Sequence, residues 1–64
     1  MPVDVFNLAT GETLTFSLSP AEAVVAAYEF SRGNGNTWTW PNPHPLYRRT
    51  LHGHNCGDWA ALNR

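Results

Sequence analysis

Thr13-Leu14-Thr15-Phe16-Ser17-Leu18-Ser19-Pro20-Ala21-Glu22 changes its periodicity partway along. Residues Thr13 to Leu18 alternate polar and apolar, the period of a strand with one buried face. Ser19-Pro20-Ala21-Glu22 then carries the start of a helix. Ser19 can accept from the Glu22 amide, and the Glu22 side chain can reach back to the Ser19 amide. Pro20, at the first helical position, has no amide to leave unsatisfied. The helix predicted from this start runs over 20–32, with Gly33 as a left-handed stop. Ala21, Val24, Val25, Tyr28 and the stem of Arg32 form one stripe at helical spacing. The many alanines imply a close approach to a sheet.

Upstream, Val3 to Leu8 is rich in strand formers, and Ala9-Thr10-Gly11-Glu12 reads as a turn. The two strands make a hairpin over 3–18. Two registers compete. A loop with Gly11 as a bulge residue sets Phe6 opposite Leu14 and Asp4 opposite Phe16. A two-residue Thr10-Gly11 loop sets Val5 opposite Phe16 and Val3 opposite Leu18. The bulge form is preferred, because Gly at the third loop position is a common solution. It puts Val3 and Val5 on the face away from Leu14 and Phe16, where the C-terminal segment or a partner must cover them.

Downstream, residues 33–45 hold three prolines and two glycines, which exclude a regular helix. A connection of this length is often functional. Leu46 to His52 reads as a third strand. Gly53 and Gly57 then frame His54-Asn55-Cys56 and suggest a bend. Asp58 either caps a helical turn over Trp59-Ala60-Ala61-Leu62 or precedes a fourth short strand. The expectation is one α+β domain over 1–64, ββαβ(β), with its last strand region at 46–62. One helix lies on a three- to four-stranded, mainly antiparallel sheet, either β-grasp-like or open. The expected core is Phe6, Leu14, Phe16, Leu18, Val24, Val25, Tyr28 and Leu51, with Trp59 and Leu62 sealing one end.

Sixty-four residues, 42% hydrophobic and 14% charged, describe a folded module rather than a disordered chain. A single cysteine excludes an intramolecular disulfide. No apolar run approaches the roughly 18 residues of a membrane span. Met1-Pro2-Val3-Asp4 lacks the pattern of a signal peptide, which points to the cytoplasm. Four arginines, no lysine and a net charge of −1 leave out the basic excess of a nucleic-acid binder. A chain this short buries only about 60% of its unfolded surface, so it is short of core. Aromatic packing, a metal or self-association must make up the difference.

Three places carry candidate chemistry. His52, His54 and Cys56 alternate, with His44 upstream; on an extended strand two such histidines and the thiol can close a tetrahedral zinc site. The plain alternative is a small buried Cys56 among hydrogen-bonded or surface histidines. Trp38 and Trp40, beside Asn36 on the Gly/Asn/Pro-rich loop, suit an anchor for a protein partner; their alternative is to fold back and complete the core. They can also stack nucleobases, aided by Arg48 and Arg49, which gives a weaker single-stranded nucleic-acid reading. Arg48-Arg49 sends one arginine to each side of a strand, with Glu12 as an interstrand partner or as guards of a sheet edge. A nucleophilic Cys56 with His52 or His54 and Asp58 can be drawn, but alternating neighbours diverge and the chain has little material for a cleft. A non-catalytic reading is therefore expected.

The line from Phe6-Asn7-Leu8-Ala9-Thr10-Gly11-Glu12 through Ser19-Pro20-Ala21-Glu22-Ala23, with Asn36-Thr37-Trp38 and Cys56-Gly57-Asp58-Trp59, resembles small uncharacterised reading frames of phages, prophages and plasmids in GC-rich bacteria. The resemblance spans most of the chain. It implies an accessory protein that binds a host or phage protein. The functional expectation is a protein-interaction module that takes a protein partner or a second copy of itself. The alternative is a zinc-stabilised domain.

Overall fold

The computed structural model describes residues 2–33 and 44–62. The chain forms β1 (Val3–Asn7), β2 (Thr13–Phe16), α1 (Pro20–Ser31), β3 (Tyr47–Thr50), β4 (Gly53–Cys56) and β5 (Trp59–Leu62). The strands make one sheet in the order β2-β1-β5-β4-β3, with every neighbouring pair antiparallel. The helix packs on one face, chiefly over β4, β5 and β1. The architecture is therefore a small α+β domain with an open antiparallel sheet, and the β-grasp-like alternative does not hold. No described helix is long and apolar enough to cross a membrane.

The sheet has five strands where three or four were expected, because the C-terminal region turns twice. The expected third strand over 46–52 stops at Thr50. Leu51-His52 is a two-residue loop that sets Thr50 opposite Gly53. Gly57-Asp58 is a second two-residue loop, setting Cys56 opposite Trp59. Gly57 has φ +61°, and no other residue type among those described has a positive φ. A positive φ at only the first loop position is the backbone of a tight hairpin turn that matches strand twist. Asp58 thus serves a hairpin and not a helix cap. β5 returns between β1 and β4, so both of its edges are paired and Trp59, Ala60 and Ala61 are buried.

The first hairpin adopts neither expected register. Val3 lies opposite Phe16, and Val5 opposite Leu14. The loop is four residues long, Leu8 to Gly11, bracketed by bonds from the Asn7 amide to the Glu12 carbonyl (2.8 Å) and from the Gly11 amide to the Asn7 carbonyl (2.7 Å). The Asn7 side-chain oxygen shapes it, accepting from the amides of Ala9 (2.9 Å) and Thr10 (3.0 Å). A side chain that mimics a backbone acceptor makes the longer loop possible. The consequence is large: Val3 and Val5 join Leu14 and Phe16 on the helix-covered face, so no separate cover for them is needed.

The helix begins as expected. Ser19 Oγ accepts from the Glu22 amide at 3.3 Å. The reciprocal contact differs in detail, since Ser19 Oγ donates to Glu22 Oε1 at 2.8 Å. The helix ends at Ser31, where Arg32 caps it. Its buried arc is wider than the expected stripe. Ala23, Val24, Val25, Ala26 and Ala27 are all buried, and so is Glu29.

The core is smaller in side-chain volume than expected and shifted toward the C-terminus. Val5, Ala23, Val24, Val25, Ala27, Cys56, Trp59 and Ala61 form it, with Leu14, Phe16, Leu18 and Tyr28 partly buried against it. Leu51 is 87% exposed because it sits in the β3–β4 turn. Leu62, the last residue of β5, is 58% exposed. Phe6 pairs with Thr13 and Ala60 and lies on the outer face of the sheet.

Candidate functional site: a buried Glu-His-Cys relay and two sheet edges

Local geometry brings three titratable groups together behind the helix. Glu29 projects from α1, His44 precedes β3, and Cys56 ends β4. His44 Nε2 and Glu29 Oε1 are 2.6 Å apart. On the other side of the ring, Nδ1 accepts from the Leu46 amide at 3.1 Å. An amide can only donate, so the proton of the neutral imidazole sits on Nε2 and is donated to Glu29. The Cys56 sulfur lies 3.8 Å from the same Nδ1. Tyr28 meets the His44 ring edge-on at 4.9 Å between centroids. Arg32 lies 5.7 Å from the Tyr28 ring centre and donates to its hydroxyl at 3.2 Å.

A carboxylate orienting an imidazole that faces a thiol is the logic of an activated nucleophile. Here the thiol itself is fully buried. Burial, and then the charge of Glu29, push its pKa up to about 11. At neutral pH it therefore keeps its proton. The contacts tie the residues leading into β3 to both the helix and the sheet.

The candidate zinc ligands do not converge. His52 is exposed in the β3–β4 turn. His54 shares a face with Cys56 but turns to Tyr47, whose hydroxyl is 2.6 Å from its Nδ1. The two rings stack at 5.9 Å. Burial and then the nearby Arg49 hold the His54 pKa below its usual value. Only His44 approaches Cys56. Among the described residues, no three His, Cys, Asp or Glu side chains are placed to hold a metal. The drawn nucleophilic set is also broken up, since Asp58 lies in the Gly57-Asp58 turn and His52 and His54 point elsewhere. The base beside Cys56 is His44. The relay's carboxylate, Glu29, was missed. Its signal was a lone charged residue beside Tyr28, one turn on from the all-apolar run Ala23 to Ala27.

Arg48 and Arg49 stand exposed on β3, which is an edge strand. Glu12 precedes β2 at the opposite edge, so the expected interstrand pair with it does not form. Among the described residues, neither arginine has an ion-pair partner. Trp38, Trp40 and Asn36 lie outside the described residues. At the far edge, Thr13-Leu14-Thr15-Phe16 of β2 carries no charge.

No protein-family model matches this chain, and no curated protein or solved structure matches it either.

Proposed function

We propose that this chain is a non-catalytic interaction module that binds an acidic, extended segment of a protein partner along the edge of β3. The observation that carries the reading is the pair of exposed arginines on an edge strand, without a carboxylate partner among the described residues. The β3–β4 pairing supports it further. Hydrogen-bonded pairs alternate with non-bonded ones along an antiparallel ladder. With Cys56 and Trp59 closing a tight turn, Asn55 turns its backbone toward Arg48, and Arg49 turns its own N–H and C=O outward. An incoming strand can bond to Arg49 there, while carboxylates meet Arg48 on one face and Arg49 on the other. Trp38 and Trp40, with Asn36, belong to the segment that enters β3 through His44. They are proposed as added contacts of an accessory protein that acts on a host or phage partner.

A fluorescence-anisotropy titration with a labelled Val-Thr-Glu-Glu-Thr-Val peptide tests the reading. Binding should weaken with added salt and fall at least about tenfold in Arg48→Glu/Arg49→Glu. Equal binding of a peptide with lysines in place of the glutamates would overturn it.

A further inference from the structure

We propose that the opposite edge, β2, is the docking site for a second copy of this chain, paired antiparallel with Thr15 on the two-fold axis. This goes beyond the β3 reading and does not depend on it. The two edges of the sheet are chemically unlike. β3 presents adjacent arginines, and two copies pairing through it would set like charges together, which is how edges are commonly guarded. β2 has no charge, no proline and no bulge between Thr13 and Phe16. An unguarded edge strand is a ready template for another strand.

The ladder says which backbone groups are on offer. Asn7 bonds to Glu12 across the hairpin, so by alternation Leu14 and Phe16 turn their backbone groups toward β1. Thr13 and Thr15 turn theirs outward, and both residues are exposed. With Thr15 facing its own copy, Thr15 bonds to Thr15 and Thr13 bonds to Ser17. The non-bonded positions then set Leu14 against Phe16, where side chains approach most closely. The strand is complementary to itself in this register: apolar meets apolar on the helix side, and on the outer side Thr15 meets Thr15 while Thr13 meets Ser17, just past the end of β2. The need is also visible. The helix only grazes β2, and Leu14 and Phe16 are left half-buried at the margin of the core. A partner strand carries the sheet across the axis and covers both. In this register each side chain of the edge meets one of its own kind, which is why the occupant is a second copy.

Sedimentation equilibrium from about 10 µM to about 1 mM, the range in which small interfaces associate, tests this. The wild-type mass should climb from 7.1 kDa toward twice that value. Thr15→Pro removes the outward N–H and the Thr15 Oγ1 bond to Asp4 Oδ1 (2.8 Å) but leaves the backbone ladder to β1 in place, and it should hold the mass at 7.1 kDa. Thr15→Lys, made together with Asp4→Asn so that the neighbouring carboxylate cannot neutralise it, keeps the N–H but sets two ammonium groups face to face, and it should do the same. Far-UV circular dichroism checks that each is folded, and if Thr15→Pro fails to fold, Asp4→Asn/Thr15→Lys decides. A wild type that stays at 7.1 kDa throughout, or a folded Asp4→Asn/Thr15→Lys that associates like wild type, overturns the proposal. Arg48→Glu/Arg49→Glu should associate unchanged; loss of association in that variant would move the interface to β3 and also overturn it.

Discussion

At the scale of single residues, two positions concentrate the constraints. Gly57 has φ +61°, and a Cβ there would lie 2.7 Å from the Tyr28 ring. Gly57→Ala meets both backbone strain and a collision with a ring that His44 and Arg32 hold in place. We expect a loss of roughly 1–3 kcal/mol in urea denaturation. Cys56 gives a pH signature. The unfolded thiol ionises near 9.0, whereas the folded one keeps its proton until about 11. Stability present below pH 9 should therefore decline as pH rises from 9.0 to about 11, because only the unfolded chain loses the proton there. His54 acts on the acid side. Its folded pKa lies below the usual 6.5, so the unfolded chain takes up a proton first and stability declines as pH falls through 6.5. Melting temperatures across this range should show a plateau between the two limbs. Cys56→Ala should flatten the alkaline limb, and His54→Gln the acid one. Much of this was illegible in the sequence. The spacing of His52, His54 and Cys56 suggested one cluster, but strand alternation says only which residues share a face. It does not say that His54 will choose Tyr47, or that a residue twelve positions before Cys56 will take its place beside the thiol.

At the scale of elements, the helix start was the most legible feature, because every signal within Ser19 to Glu22 is local. Ser19→Ala should cost about 1 kcal/mol, measured by thermal or chemical denaturation. The hairpins were less legible for a definite reason. The register of β1 and β2 depends on loop length, and loop length depends on the Asn7 side chain standing in for a backbone acceptor. Gly57-Asp58 is a two-residue hairpin signal, but with four residues on either side it competes with a helix cap in any reading from periodicity. The relay links elements rather than residues. Glu29→Gln leaves His44 Nε2 with a weaker acceptor, and His44→Ala leaves the Glu29 carboxylate without the imidazole. The second should destabilise more, by roughly 1–3 kcal/mol. Amide exchange should quicken first at Leu46 and Tyr47, the residues that His44 anchors through its ring and its carbonyl.

At the scale of the whole molecule, the shortage of core expected of so short a chain is met by placement. The last strand enters the middle of the sheet, so Trp59, Ala60 and Ala61 are buried where a terminal strand would leave them half-exposed. Alanines along the helix let it lie close over that strand, and small residues take the place of bulk. This insertion was the part of the fold least visible in the sequence, since strand order depends on pairings between distant segments. Among the described residues the sheet has two edge strands of unlike character, β3 with two adjacent arginines and β2 with no charged residue of its own. Our central claim is that the arginine edge receives an acidic partner strand. The most direct test is a residue-resolved amide spectrum recorded during titration with the Val-Thr-Glu-Glu-Thr-Val peptide. Shifts should concentrate on β3 and be largest at Arg49, with Thr13 and Thr15 unmoved. Shifts that gather on β2, or none on β3 at saturating peptide, would contradict it.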